Sequence, residues 1–190
     1  TTLNLSYGTK IVARGTGMLL NNEMDDFAAK ENAPNFYGLI GRRANSIEPG
    51  KRMLSSMTPT IVRKDGKPIL VTGSPGGSTI ITTTMQVILN VIEHKMSLSD
   101  AVSSPRFHHQ WLPTRVMHER FAFSPDTRRS LQSRGHNELV PLPPRYALGD
   151  ANSVMQGEKG IEGMADPRNA GAAVGAALVA PLVESQAATK

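Results

Sequence analysis

Apolar residues recur at helical spacing after position 78. Ile81, Met85, Ile88 and Ile92 form one stripe, with Ile80, Val87 and Val91 beside it. A stripe that wide predicts a well-buried helix over residues 78–94. Two short apolar runs come before it. Thr60-Ile61-Val62-Arg63 and Pro68-Ile69-Leu70-Val71-Thr72 flank Lys64-Asp65-Gly66-Lys67. Asp-Gly between apolar runs predicts a hairpin. Ser97 with Asp100 three residues on resembles a capping box for a short helix, which Pro105 stops. Ser124-Pro125-Asp126 supplies an N-cap, a proline at the first helical position and an early acid, and Gly135 closes that helix. Residues 10–14 and 17–21 read as short strands or strand edges. Residues 31–50, rich in Asn, Pro and Gly, read as one long loop of the kind that forms lids and binding loops. Strand pairs alternating with helices predict an α+β fold of mixed layers. Beyond Arg168 the chain turns Ala/Gly-rich, so the expected organisation is a body over residues 1–168 and a flexible tail over residues 169–190.

Composition narrows the class. A chain of 190 residues with 39% hydrophobic content suits a globular domain with a sizeable core. No apolar run is long enough to span a bilayer, and no signal peptide stands at the start, so an export signal is expected to have been removed or to lie upstream. Cysteine is absent, which excludes disulfides, thiolate metal sites and cysteine nucleophiles. That composition fits an exported bacterial protein and equally a cytosolic one. The formal net charge is +5, yet its arginines are scattered and only 5% of residues are aromatic. Nucleic-acid binders concentrate charge and interleave aromatics, so the excess reads as a solvated surface.

Four features carry possible chemistry. Gly73-Ser74-Pro75-Gly76-Gly77-Ser78 lies at a strand-to-helix junction. Bare backbone N–H groups there either face a developing negative charge or simply pack strand against helix. The run lacks the lysine of a P-loop and the spacing of a dinucleotide turn. Ser55 and Ser56, one hairpin away, are plausible companions of an anion site. Asn22-Glu23-Met24-Asp25-Asp26-Phe27 groups three carboxylates in four residues. Such a cluster binds an amino group or a metal, does acid–base work, or is a solvated turn; it lacks the alternating pattern of a calcium loop. His108-His109 lacks metal-ligand spacing and reads as packed or hydrogen-bonded, with Trp111 in the core. No metal or other cofactor is expected. Thr1 is either an N-terminal nucleophile whose own amine is the base, or merely the first residue of this chain.

Together these residues resemble the small subunit of the γ-glutamyltranspeptidase family. The matching motifs are Thr2-Leu3-Asn4 with Tyr7-Gly8; Leu19-Leu20-Asn21-Asn22-Glu23-Met24-Asp25-Asp26-Phe27; Pro34-Asn35-Phe36-Tyr37-Gly38-Leu39; Asn45 with Lys51-Arg52; Leu54-Ser55-Ser56-Met57-Thr58-Pro59; Gly73 to Ser78; Ala101 to Leu112; and Ala165-Asp166-Pro167-Arg168. They recur in order and spacing from residue 2 to about 168. The resemblance implies a four-layer αββα sandwich of the N-terminal-nucleophile hydrolase type, completed by a large subunit cut from the same precursor. It implies a threonine that attacks a γ-glutamyl amide, such as that of glutathione, and an ester that passes its acyl group to water, an amino acid or a peptide. It implies a periplasmic or extracellular bacterial location.

The roles carry over by position. Asp26 resembles the main partner of the substrate's α-ammonium, assisted by Asn4 and Glu23. Ser55 and Ser56 resemble the pair that binds the α-carboxylate. Gly76 and Gly77 match the oxyanion-hole glycines. Thr2 resembles the threonine that tunes the nucleophile, and Tyr37 stands where bacterial members carry a lid-loop aromatic. One departure matters. In the family a Thr-Thr-His-like start and a strand pair precede the Thr-x-Asn segment, whereas here that segment is at positions 2–4. The resemblance therefore puts the nucleophile upstream, and Thr1 is a candidate only in an unusual relative. A glutaryl or cephalosporin acylase on the same fold is the competing enzyme, although an acyl group without an ammonium has less use for Glu23 and Asp26. A non-catalytic chain that keeps the amino-acid pocket is the competing binding protein.

Overall fold

A computed structural model describes residues 2–158 and 160–175. Its centre is an antiparallel sheet of four strands in the order β1-β2-β6-β7. β1 (Thr60–Lys64) and β2 (Lys67–Thr72) form the expected hairpin. Asp65 and Gly66 both have positive φ, 50° and 78°, as the tight hairpin turn requires. β6 (Ser153–Gly157) and β7 (Gly160–Met164) complete the sheet.

Side chains alternate across a strand, so register decides which residues share a face. Val62 pairs with Leu70, and Leu70 with Met155. This row faces α1 (Ile80–Ile92) and α2 (Leu98–Ser103), where Leu70, Val87, Leu98, Val102 and Ala151 form the core. The other face carries Ile61 opposite Val71 and Val71 opposite Val154. All three side chains are exposed.

A smaller sheet of three strands, β3 (Phe107–His108), β4 (Val116–His118) and β5 (Leu139–Pro141), stands apart, with α3 (Pro125–Ser133) between β4 and β5. The described residues thus have the predicted α+β character. Ser97 and Ser124 cap α2 and α3 by accepting from the amides of Asp100 and Thr127, at 3.1 Å each. Residues 10–14 and 17–21 make only a single antiparallel bridge, Val12 to Leu19, in an irregular hairpin.

Two expectations need correction. The helix buries Ile80, Thr83, Thr84, Gln86 and Val87, and Ile88 and Val91 pack against the core. The stripe through Ile81, Met85 and Leu89 points outward and is exposed. Trp111 is not in the core. It is 68% exposed, on a residue with φ of 72°. Residues 169–175 lack regular structure, but Asn169 donates to Asp150 at 3.2 Å. The rest of the expected tail, residues 176–190, lies outside the described residues. Among the described residues, no helix is long and apolar enough to cross a membrane.

A buried charge cluster ties the layers together. Arg106 donates to Asp166 at 2.7 Å, with both side chains almost fully buried. Arg168 reaches Asp166 at 3.1 Å and forks onto both oxygens of Glu119 at 2.7 and 2.6 Å. The two arginines also cap the end of α2, donating to the carbonyls of Val102 and Ser104. Burial alone would raise the carboxyl pKa of Asp166. The amides of Ala151 and Arg168 and the Arg106 guanidinium outweigh it and hold the group below its ordinary value. Glu119 is likewise lowered, with burial overcome by Arg168 and the amides of Leu148 and Arg106.

A carboxyl with a depressed native pKa contributes stability above its unfolded value, near ~4, and loses it as pH falls through the native value. Acidification below about pH 4 should therefore lower the melting temperature of the assembled protein. Asp166→Ala leaves Arg106 charged, buried and unpaired, which should cost about 3–5 kcal/mol in a denaturant melt.

Candidate active site

One cavity of about 860 Å³ gathers the sequence-predicted residues. Thr2, Asn4, Asp26, Tyr37, Ser55, Ser56, Gly76 and Gly77 all line it. They come from the irregular N-terminal segment, the acidic turn, the long loop, the stretch before β1 and the glycine turn before α1. Glu23 is half-buried and does not reach the cavity wall. Thr1 lies outside the described residues.

The acidic turn is a single turn of 3-10 helix, Glu23–Asp26, and Asp26 is its only buried residue. Asp26 Oδ1 accepts from Asn4 Nδ2 at 3.2 Å. Asp26 Oδ2 is buried and has no hydrogen-bond partner among the described residues. A buried carboxylate oxygen without a donor is costly, so this atom is poised for a cationic or donor group entering the cavity. Asn4 has φ of 60°, a left-handed conformation that asparagine tolerates better than most residues. Its Oδ1 accepts from the Tyr37 hydroxyl at 2.6 Å. Burial, and then the negative charge of Asp26, push the Tyr37 phenol pKa up. The phenol therefore stays a donor. Thr2 Oγ1 accepts from the Asn4 amide at 3.0 Å.

The glycine turn is shaped by its lack of side chains. Gly76 and Gly77 have φ of 141° and 57°, conformations open mainly to glycine. A Cβ on Gly77 would stand 2.5 Å from the Tyr37 ring. Ser78 and Thr79 continue into a one-turn 3-10 helix that feeds α1. Neither the Gly76 nor the Gly77 amide donates to an acceptor among the described residues. The turn is held from behind, since Ser74 Oγ accepts from the Asp150 amide at 2.8 Å. The loop at residues 148–151 is in turn fixed by the charge cluster: Arg106 donates to the Leu148 carbonyl and the Ala151 amide to Asp166.

The Ser55 hydroxyl is exposed and bonds weakly to Met57, at 3.3 Å to both its amide and its carbonyl. Ser56 is half-buried, and its hydroxyl makes no hydrogen bond among the described residues. Asn45 gives this segment its place. Its Nδ2 donates to the Asp26 carbonyl at 2.7 Å, and its Oδ1 accepts from the Leu54 amide at 3.0 Å. One side chain thus sets the acidic turn against the serine pair. Sequence reading found Asn45 only as part of a motif, because an amide in a loop carries no chemical signal until its partners are known. His108 is packed and hydrogen-bonded as expected, and no metal-binding cluster occurs among the described residues.

The sequence model of the gamma-glutamyltranspeptidase family matches residues 1–176. The chain is 51% identical over 169 residues to the glutathione hydrolase proenzyme of Escherichia coli (strain K12), an overlap of 88% of this chain and 28% of that protein. It superposes on a crystal structure of the Helicobacter pylori gamma-glutamyltranspeptidase T380A mutant with a TM-score of 0.81 at 50% identity, covering 89% of this chain and 91% of that one. A cephalosporin acylase structure from Bacillus halodurans is more distant, with a TM-score of 0.71 at 26% identity over 88% of this chain and 29% of that one. The fold is the N-terminal-nucleophile hydrolase type of the γ-glutamyltranspeptidase structures. The chain belongs to the gamma-glutamyltranspeptidase family, and spans 28% of the length of its Escherichia coli relative.

If Asn45 sets the spacing of the two segments, Asn45→Ala frees two hydrogen bonds worth about 1 kcal/mol each. Hydrogen exchange should then quicken at the Leu54 amide and in the acidic turn, leaving α1 unchanged. Unaltered exchange at Leu54 would show that the segment is held by other contacts.

Proposed function

We propose that this chain is the small subunit of a γ-glutamyl hydrolase and transferase that acts on glutathione-like amides. The observation that carries the reading is Asp26 Oδ2, a buried, unpartnered carboxylate oxygen in the cavity that the glycine turn also lines. A γ-glutamyl group presents an ammonium, a carboxylate and a scissile carbonyl. Asp26, held by Asn4, is the ammonium partner, with Glu23 a more remote negative charge. Ser55 and Ser56 donate to the α-carboxylate. The amides of Gly76 and Gly77 donate to the oxygen that becomes an oxyanion.

The nucleophile in this reading is a threonine N-terminal to the Thr2-Leu3-Asn4 segment, tuned by Thr2. Its hydroxyl oxygen attacks the γ-carbonyl carbon while its own α-amine takes the proton. The tetrahedral intermediate collapses, the C–N bond breaks, and the leaving amine takes that proton. Water or an acceptor amine then attacks the ester and releases the threonine. A glutaryl substrate lacks the ammonium that would satisfy Asp26, so the acylase reading has less support.

The test uses the complete assembled protein and two chromogenic amides, γ-glutamyl and glutaryl. Asp26→Ala should cost about 3–5 kcal/mol in kcat/KM on the γ-glutamyl substrate and much less on the glutaryl one. Gly77→Ala should lower kcat about 10²–10³-fold, while binding of an unreactive γ-glutamyl analogue weakens by a smaller factor as the Tyr37 ring is displaced. Equal losses on both amides for Asp26→Ala would sink the assignment. No turnover of either amide by the unmutated protein would favour a binding chain.

The same reading supplies a large subunit from one precursor, whose sheet would complete the sandwich by covering Ile61, Val71 and Val154. Their exposure on the sheet face away from α1 supports it. Introducing lysine at Ile61 and Val154 together should break the association, read as a shift to smaller species on size exclusion. The family resemblance further takes the assembled enzyme to the periplasm or exterior of a bacterium.

A further inference from the structure

Tyr37 is gripped at its hydroxyl by Asn4, at its ring by Gly77 and at its carbonyl by Gln110, whose Nε2 donates at 3.2 Å. The first two grips touch the candidate machinery itself. The third leads away from it. Gln110 Nε2 also donates to the Leu112 carbonyl at 3.0 Å, which commits both amide protons to carbonyl oxygens. Gln110 Oε1 is left to accept from His108 Nε2 at 2.8 Å. With the proton assigned there, His108 Nδ1 accepts from Thr82 Oγ1 at 2.7 Å, which takes the single hydroxyl proton in preference to the Thr79 carbonyl at 3.1 Å. His108 is almost fully buried, and that burial holds its imidazole below the ordinary pKa, in the neutral form this chain of bonds needs.

The root of the chain is rigid. Thr82 lies in the first turn of α1, directly after the glycine turn. Gln86, one turn on, donates to the carbonyls of Thr82 and Phe107 at 2.8 Å each and accepts from the Phe107 amide at 3.1 Å. β3 is thereby locked to the helix that begins at the glycines. The Tyr37 loop is closed by a bridge between Pro34 and Ile40 and by the Asn35 amide donating to the Leu39 carbonyl at 2.9 Å, but no strand or α-helix carries it. Its amides turn inward on Asn35: those of Tyr37 and Leu39 both donate to Asn35 Oδ1 at 3.0 Å.

We propose that Gln110, seated on His108 and Thr82, is a positioning residue that latches the Tyr37 loop to the start of α1 and so holds the phenol ring over Gly77. Helix, latch and lid then share one frame. The ring's place over the acyl site is referred to the same helix that aims the glycine amides. This rests on the reading of the cavity as a γ-glutamyl site, and the latch itself can be tested without it.

The informative variant is Gln110→Glu, which keeps an acceptor for His108 and replaces the donor to the Tyr37 and Leu112 carbonyls by a carboxylate oxygen. In the complete assembled protein, the amides of Tyr37 and Leu39 should exchange with deuterium about fivefold faster or more, the equivalent of one lost hydrogen bond. KM for a γ-glutamyl amide should rise by a similar factor of about five, with kcat changing less. If the latch acts only through the ring, Gln110→Glu made in a Tyr37→Ala background should leave KM within about twofold of Tyr37→Ala alone. Independent, multiplicative effects of the two substitutions would overturn the proposal, as would unchanged exchange at Tyr37 and Leu39. Should Gln110→Glu fail to assemble, Thr82→Val cuts the chain at its root and should raise exchange at the same amides; unchanged exchange there again overturns it. Faster exchange in a protein whose unmutated form never turns over γ-glutamyl amides would retain the latch and remove the assigned function.

Discussion

The rest of the structure depends on keeping two guanidinium groups out of water. Arg106 and Arg168 sit among Asp166, Glu119 and the last carbonyls of α2, so every strong donor faces an acceptor except Arg106 Nε. Removing one partner from such a cluster is far worse than never having built it. The cluster ties the end of α2 to Arg106 just before β3, Glu119 just after β4, and Asp166 and Arg168 beyond β7. It also fixes the loop at residues 148–151 that backs the glycine turn through Ser74. Electrostatic satisfaction deep in the fold and the shape of the cavity wall are therefore one constraint.

The cavity shows how a short polar chain can do the work of a rigid scaffold. Asp26, Asn4 and Tyr37 are linked by two hydrogen bonds, of 3.2 and 2.6 Å. Asn45 holds the turn from its other side. None of these residues lies in a strand or an α-helix. Their precision comes from amide side chains that donate at one end and accept at the other, which suits asparagine to bridging irregular backbone. The site is thus assembled from loops and referenced to one well-built helix.

Much of the frame was legible in the sequence for physical reasons. The Asp65-Gly66 turn and the Ser97 and Ser124 caps are local chemistry, and local chemistry can be read residue by residue. The glycine turn, Asp26, Asn4, the serine pair and Tyr37 were legible through motif order, and they do meet at one cavity. Three readings failed or stayed partial. α1 buries polar Thr83, Thr84 and Gln86 and exposes apolar Ile81, Met85 and Leu89, so apolar periodicity could not tell its inner side from its outer one. Trp111 was expected inside as a large aromatic, but it stands 68% exposed on a residue with φ of 72°. Asn45 and Gln110 were visible only as members of motifs, because a bridging amide is defined by two partners and not by its own position.

The exposed rows on both sides of the molecule have a consequence for how such a chain is made. Ile61, Val71 and Val154 on the sheet, and Ile81, Met85 and Leu89 on the helix, leave apolar surface on opposite sides of a thin two-layer body. If the proposed large subunit covers the sheet row, a chain released alone must find it by diffusion, in competition with every other sticky surface and with copies of itself. A cover tethered on the same polypeptide arrives at an effective concentration in the millimolar range, set by linker length rather than by expression level. Synthesis as one length of chain, with any cut made only after the layers have met, turns a second-order search into a first-order folding step.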